Sequence, residues 1–427
     1  MEGWKRVKLR NIGEVYSGST PRTTVKGFWD GTLVWITPND LSKLNSQYIT
    51  GSERRITNEG LQSCSTHLLP KGTVVLSSRA PIGYLGISVV ELCTNQGCKS
   101  IVPNKDKSPY FLYYQLLHNV ETIKRFGEGT TFHEISKKFV EDIEVDVPDS
   151  LQEQTTIARI LSTVDKTIEQ TEQLIAKYQR IKTGLMQDLL TRGIDEHGRI
   201  RSEAIHRFKD SPLGRIPEEW EVVNLSSLGE ILTGNTPSTK KQEYYGDDYL
   251  FITPSDIGEN VFITQTERKL STLGFSVSRK VPGKAICTVC IGSTIGKIGL
   301  TSKESASNQQ INILIPSDKE KAYLYFCLMS LFLPKQLNIE AGLQAVPIVN
   351  KNTFSKLKIP LPFNDEEKNK IISAIYSLDL FLNKGKDKFS KLYSLKTALM
   401  QDLLSGRVRV PTEMIERVGE AGEVKTA

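Results

Sequence analysis

Residues that commonly carry chemistry are scarce in this chain. Its 427 residues include six cysteines and five histidines. Cys64, Cys93, Cys98, Cys287, Cys290 and Cys327 are too thinly spread for a disulfide framework, so a reducing compartment, the cytoplasm, is expected. Cys287-x-x-Cys290 lacks the second pair or nearby histidines of a zinc set and reads as buried strand. His67, His118, His133, His197 and His206 are scattered, so neither a metal site nor a histidine-based catalytic centre is expected. The run from Gly292 to Lys297 is one residue short of a phosphate loop, and Ile298 follows where Ser or Thr would bind magnesium, so it reads as a turn. Phe126-Gly-Glu-Gly129 is at most a faint likeness of a cofactor loop. The NPPY motif of adenine methyltransferases is absent, because Ser108-Pro109-Tyr110 lacks the second proline. No apolar run approaches the ~20 residues that span a bilayer, so neither a membrane segment nor a leader is expected.

A strong charge of one sign is missing too. The net charge is +6, with 18 basic against 16 acidic residues in 1–150 and 15 against 12 in 220–362. Any basic face has to be assembled by folding. The length exceeds one ordinary domain, so two or more cores are expected.

What the chain does have is a copy of itself. WKRVKLRNIGEVYSGSTP begins at Trp4 and WEVVNLSSLGEILTGNTP at Trp220, an offset of 216 residues. The same offset pairs Ile36-Thr37-Pro38 with Ile252-Thr253-Pro254, and Asp40 with Asp256. After small indels an offset of 213 pairs Ile82-Gly83 with Ile295-Gly296, Asn95-Gln96 with Asn308-Gln309, and Pro103 with Pro316.

The repeat is strongest where the pattern turns helical. Ile157, Leu161, Val164, Ile168, Ile175, Tyr178, Ile181, Leu185 and Leu189 form one apolar stripe, and adding 214 to each number gives nine apolar residues again, Ile371 to Leu403. Ser150 with Glu153 and Asn364 with Glu367 have the capping-box spacing, and Gly193 and Gly406 close the two stretches. KTGLMQDLL and KTALMQDLL are the same helix end written twice. A helix over 154–190 is roughly 55 Å long at ~1.5 Å per residue, more than the domain before it requires. Its stripe is expected to bury against the other copy as an antiparallel, coiled-coil-like pair.

The expected order is a domain over 1–149, a spacer helix over 150–193, an exposed linker over 194–219, a second domain over 220–363, a second spacer helix over 364–408, and a loosely held tail over 409–427. Short runs such as TLVWIT, GTVVLSS and YLGISVV, separated by Gly, Pro and Asn, suggest strands, and PYFLYYQLLHNVETIKRF suggests a buried helix. The fold class is α/β: two tandem domains, each a β-rich mixed sheet with helices, related by a pseudo-two-fold and separated by the two long antiparallel helices.

The WxxVxLxxxGE opening, the GSTP and GNTP turns, the WITPND and FITPSD segments and the duplicated KTxLMQDLL helix resemble type I restriction-modification specificity subunits, over essentially the whole chain. One departure is the segment before Trp4, which is shorter than its counterpart before Trp220. The resemblance implies two target-recognition domains, each reading one half of a bipartite double-stranded DNA sequence. It implies that the helices set the spacing and dock two methyltransferase subunits, which bind S-adenosylmethionine, and that a motor-nuclease subunit can join. This chain is then a non-catalytic subunit with no cofactor of its own.

Candidate DNA contacts are polar loop residues at equivalent points of the two copies, because base edges and phosphates are read by short polar and basic side chains. In the first domain these are Ser19, Thr20, Arg22, Thr23, Lys26, Ser78, Arg79, Thr130, Thr131 and His133. In the second they are Asn235, Thr236, Ser238, Thr239, Lys240, Lys241, Ser293, Thr294, Lys297 and Gln344. Arg79 and Lys297, beside the repeated Ile-Gly turn, are preferred. The Asn95-Gln96 and Asn308-Gln309 pairs are explained at least as well by buried hydrogen bonding. Two rivals make different demands. A fused methyltransferase or nuclease would bind S-adenosylmethionine in the isolated chain, and a coiled-coil adaptor for protein or glycan would show no sequence-specific duplex binding.

Overall fold

The computed structural model describes residues 3–128, 134–258, 260–342 and 347–420. It forms two compact units, Met1–Gln173 with Lys386–Ala427, and Leu174–Gly385.

Both units follow one plan, strand for strand. In the first, a five-stranded mixed sheet runs in the order Gly13–Ser17, Cys98–Pro103, Val74–Ser77, Leu85–Ser88, Tyr48–Ile49, and a three-stranded sheet in the order Arg54–Ile56, Trp29–Ile36, Leu92–Thr94. In the second, the order is Gly229–Thr233, Ile311–Pro316, Ile286–Val289, Ile298–Thr301, Phe262–Ile263, with a small sheet of Arg268–Leu270, Tyr245–Ile252 and Ser305–Ser307. Trp4–Lys8 pairs with Glu144–Pro148, and Glu221–Asn224 with Lys358–Leu361. The central strands are buried throughout and largely apolar because both of their faces are covered. Cys287 and Cys290 lie at such a strand, where burial pushes both thiols up to about 12 and keeps them protonated near neutral pH. The expected buried helix is broken at Asn119 into Pro109–His118 and Val120–Glu128, whereas its counterpart Ala322–Ala341 is continuous.

The long helices span Leu151–Thr191 and Asp365–Leu404, and they pack antiparallel. In the first unit Ile157 and Leu161 share a core with Met400, Leu403 and Leu404, and Lys396 Nζ lies 2.6 Å from Asp165. In the second, Leu189 and Leu190 share a core with Ile371 and Ile375, and Lys182 pairs with Asp379. Lys182 and Lys396 are repeat partners, as are Asp165 and Asp379, so the two ion pairs are one contact made twice. Each aspartate also accepts from a domain tyrosine, Tyr114 to Asp165 at 2.7 Å and Tyr323 to Asp379. Each domain core is therefore closed by the start of the helix that follows it and by the end of the other helix.

Four local expectations change. Ile181 and its counterpart Leu395 are exposed, so the buried stripe loses one position per helix, and the adjacent lysines enter the helix interface instead. The capping boxes are half-formed: the Ser150 and Asn364 side chains accept from the backbone amides of Glu153 and Glu366, but Glu153 and Glu367 turn inward. Glu367 accepts from Trp220 Nε1 at 3.3 Å, from the Ile194 amide at 2.9 Å and from Arg201, while Glu153 accepts from Trp4 Nε1 at 3.4 Å and from Arg409 Nε at 2.8 Å. The linker is not an exposed connection, because Ile194, Asp195, Arg201 and Ile216 are buried over Trp220 and a hairpin joins Phe208–Ser211 to Gly214–Pro217. The tail is likewise held as far as it is described: Arg409 reaches Glu153, Val410 is buried, and Thr412–Glu420 is helical.

Gly193 ends the first long helix at φ +66°, and a Cβ there would lie 2.1 Å from Glu367 Oε1 and 2.6 Å from the Trp220 ring. Gly198 has φ +79° and open space around it. Gly198→Ala is expected to cost only the left-handed backbone penalty of ~1–2 kcal/mol, whereas Gly193→Ala adds overpacking of ~1–3 kcal/mol. Equal shifts of the two variants in thermal unfolding would show that crowding at Gly193 plays no part.

Candidate nucleic-acid interface

In each unit a short hydrogen-bonded frame presents one arginine. Thr37 and Asp40 form a complete capping box after the Trp29–Ile36 strand, and Asp40 Oδ1 also accepts from the Glu53 amide at 2.8 Å. Thr253, Asp256 and Glu267 repeat this arrangement, with the last bond again 2.8 Å. The next residues are Arg54 and Arg268. Their carbonyls accept from the Ser52 and Thr266 hydroxyls at 2.6 Å and 2.5 Å. Arg54 is paired across the strands with Trp35, and Arg268 with Phe251. Both arginines are exposed.

In the second unit Arg268 joins two clefts. One, about 480 Å³, is lined by Thr253, Ser255, Ser293, Thr294, Asn308 and Gln310, together with Arg268 and Glu267. The other, about 460 Å³, is lined by Thr239, Tyr245, Gly246 and Lys269 with Arg268. Hydroxyls, amides, the Arg268 guanidinium and the Lys269 ammonium thus line the two clefts together with the Glu267 carboxylate, and the donors among them are of the kind that meets phosphates and base edges. A larger cleft of about 590 Å³, between the linker and Phe363–Lys370, has mixed charges and is lined by none of the candidate contacts.

In the first unit the equivalent feature is aromatic. The Arg54 guanidinium stacks 3.6 Å from the centroid of the buried Trp29 ring, and Trp35 meets Trp29 edge to face at 5.1 Å. Arg79, on the repeated turn, is held by Glu134 at 2.7 Å, and Glu134 also lies 3.5 Å from buried Lys99. Burial alone would raise the Glu134 carboxyl, but Arg79 and Lys99 outweigh it and hold it below the usual carboxylate range. Burial lowers Lys99, and Glu134 opposes that shift. Arg79 therefore offers a duplex only the donors that Glu134 leaves.

Of the candidates named from sequence, the structure gathers Thr239, Ser293 and Thr294 around Arg268. Arg22, Thr23, Lys26, Ser238, Lys240 and Lys297 are exposed. Lys241 is exposed as well and bonds Tyr244 Oη at 3.2 Å, which raises its pKa. Ser19 and Arg22 use their carbonyls to hold Trp35 Nε1 and Trp29 Nε1. Asn235 is occupied within the fold, accepting from the Arg279 amide at 2.7 Å. Ser78 is a correction: it is fully buried at the start of its turn and has no surface to offer DNA. Gln96 and Gln309 correct the expected buried bonding, for both are exposed and accept from Thr20 and Thr236 at 2.5 Å and 2.6 Å. Thr130, Thr131, His133 and Gln344 lie outside the described residues. Sequence reasoning missed Arg54, Arg268, Thr253, Ser255 and Gln310. The available signal was the 214-residue offset between the two arginines, the same as between the helices.

Residues 1–180 and 217–388 match the family model described as the type I restriction modification DNA specificity domain. The chain is 28% identical over 419 residues to the type I restriction enzyme MjaIX specificity subunit of Methanocaldococcus jannaschii, covering 95% of this chain and 94% of that one. It is 42% identical over 151 residues, about a third of each chain, to the HindI specificity subunit of Haemophilus influenzae. Among solved structures, the S subunit of a type I restriction-modification system from M. genitalium superposes with a TM-score of 0.62 at 15% identity, covering 94% of this chain and 96% of that one. A chain from a study of assembly of the type I system gives 0.54 at 16% identity, covering 96% and 99%. At these identities the structural likeness concerns the fold.

Proposed function

We propose, from the premise that this chain belongs to the type I restriction-modification DNA specificity family, that its two domains each read one half of a bipartite duplex target through the surfaces around Arg54 and Arg268. The chain is the specificity subunit of such a system and recognises DNA sequence with two domains. The observation that carries the division of labour is that the two cores repeat strand for strand while their loops differ, as Arg22 against Ser238 and Ser19 against Asn235. A shared scaffold with unlike loops is what two readers of unlike sequences require. The HindI relative, similar over about a third of its length, supports treating the domains as separable.

The long helices set the gap between half-sites and dock two methyltransferase subunits. Exposed apolar side chains suited to docking occur on the helices of both units, Leu174, Ile181, Leu380 and Phe381 in the second and Tyr393 and Leu395 in the first. S-adenosylmethionine and the methyl-transfer chemistry belong to those partners, a motor-nuclease subunit joins when cleavage occurs, and the assembly works in the cytoplasm on double-stranded DNA. Among the described residues no helix is long and apolar enough to cross a membrane.

Exchanging residues 1–149 for the equivalent domain of a relative, in the assembled methyltransferase, is expected to change one half of the methylated sequence completely and leave the other half untouched. Methylation mapping reads both halves at once. Changes in both halves would defeat the reading.

A further inference from the structure

We infer that Arg54 and Arg268 are a matched pair of sequence-independent phosphate anchors, one in each domain, an inference that rests on the DNA-reading function proposed above. Four observations lead to it. First, the residue type is the same at equivalent positions, although the loops around it differ: Arg22-Thr23-Thr24-Val25-Lys26 in one copy stands against Ser238-Thr239-Lys240-Lys241-Gln242 in the other. A residue common to two readers of different sequences cannot be what distinguishes those sequences. The phosphodiester backbone is the feature common to both half-sites.

Second, the position is built rather than incidental. The same bonds fix each arginine's backbone: an aspartate oxygen on the preceding amide, and a hydroxyl on the arginine's own carbonyl. Third, among the described residues neither guanidinium pairs with a carboxylate, as Arg6, Arg10, Arg79, Arg201, Arg215 and Arg409 do; Arg22, Arg159 and Arg180 share that freedom but not the fixed backbone. Arg54 and Arg268 each keep the N–H fork for an external anion, and phosphate suits that fork in shape and charge. Fourth, the arginine is preorganised on an aromatic platform in the first domain, with Trp29 at 3.6 Å and Trp35 at 5.8 Å. In the second it shares a cleft wall with Tyr245, the repeat partner of Trp29. A stacked guanidinium loses little freedom on binding, so more of the contact energy remains as affinity.

The test uses the full chain assembled with its methyltransferase subunits, and three duplexes: the methylated target, targets altered at single positions, and unrelated DNA of equal length. Arg54→Ala and Arg268→Ala are each expected to weaken binding to all three by a similar factor, on the order of tenfold, and to reduce the slope of log affinity against log salt by ~0.9. The double variant should reduce it by ~1.8, with the methylated sequence unchanged. Arg54→Lys keeps the charge but not the fork or the stack, and should restore the salt slope while regaining only part of the affinity. Arg268→Ala should leave the thermal unfolding midpoint unshifted and Arg54→Ala should lower it only slightly, by the loss of its stack on Trp29, which separates loss of contact from loss of fold.

Relaxed specificity at one base position, with the salt slope unchanged, would make the residue a base reader and overturn the inference. Unchanged affinity and slope would overturn it as well. If the wild-type assembly itself failed to prefer its target over unrelated DNA, the DNA-reading function would fall first, so the two failures are distinguishable.

Discussion

Glu367→Leu is expected to destabilise the second unit by ~3–5 kcal/mol, because it strands a buried charge. The Glu367 side chain is 6% exposed and Arg201 11%. With the carboxylate gone, the guanidinium stays buried with only the exposed Glu219 carboxylate left, at 3.9 Å, and both the indole N–H and the Ile194 amide lose their acceptor. The repeat provides the control. Glu153 holds Trp4 and Arg409 in the first unit, yet the Arg409 side chain is 49% exposed and water can take over its solvation. Glu153→Leu should therefore cost clearly less, ~1–2 kcal/mol, most of it from the unpaired indole. Adding Arg201→Met to Glu367→Leu should recover much of the loss by removing the stranded charge. Denaturant midpoints of the four proteins provide the comparison, and equal losses for the two glutamate variants would refute the solvation argument.

These glutamates mark the limit of what the sequence reveals. The duplication and the helix pair were legible because apolar periodicity is a local signal that survives in both copies. The interior roles of Glu153 and Glu367 were not, since three-residue spacing after Ser150 or Asn364 fits a cap equally well. Only the tertiary position of Trp4 and Trp220 decides between them. The linker misled for a related reason: its charges look like solvated surface, but Arg201 and Asp195 are drawn inward by partners far away in sequence or by the local Arg199 turn. At the candidate interface, loop composition pointed to Thr239, Ser293 and Thr294, which line the clefts at Arg268, and also to side chains that the fold itself uses. Ser78 is buried, Asn235 and Thr20 are spent on the fold, and Arg54 and Arg268 lie on short strands that composition does not single out.

The helix pair yields the other large prediction. Asp165 and Lys182 are 17 residues apart, as are Asp379 and Lys396, so one antiparallel register satisfies both ion pairs. Inserting four residues after Glu172 alone makes these separations unequal by four residues, or ~6 Å at ~1.5 Å per residue, so one pair and its tyrosine bond must break. The single insertion is expected to destabilise the subunit and abolish methylation of the original target. A matching insertion after Lys386 equalises the separations again. Four residues exceed a 3.6-residue turn by only ~40°, so each stripe still faces its partner and stability should return. The doubly extended subunit should then methylate the same two half-sites across a gap longer by about two base pairs, since ~6 Å corresponds to roughly two steps of ~3.4 Å. Methylation mapping of the single and double insertions decides the matter. Restored stability with an unchanged gap would leave the ion pairs as register pins but take the ruler role away from the helices.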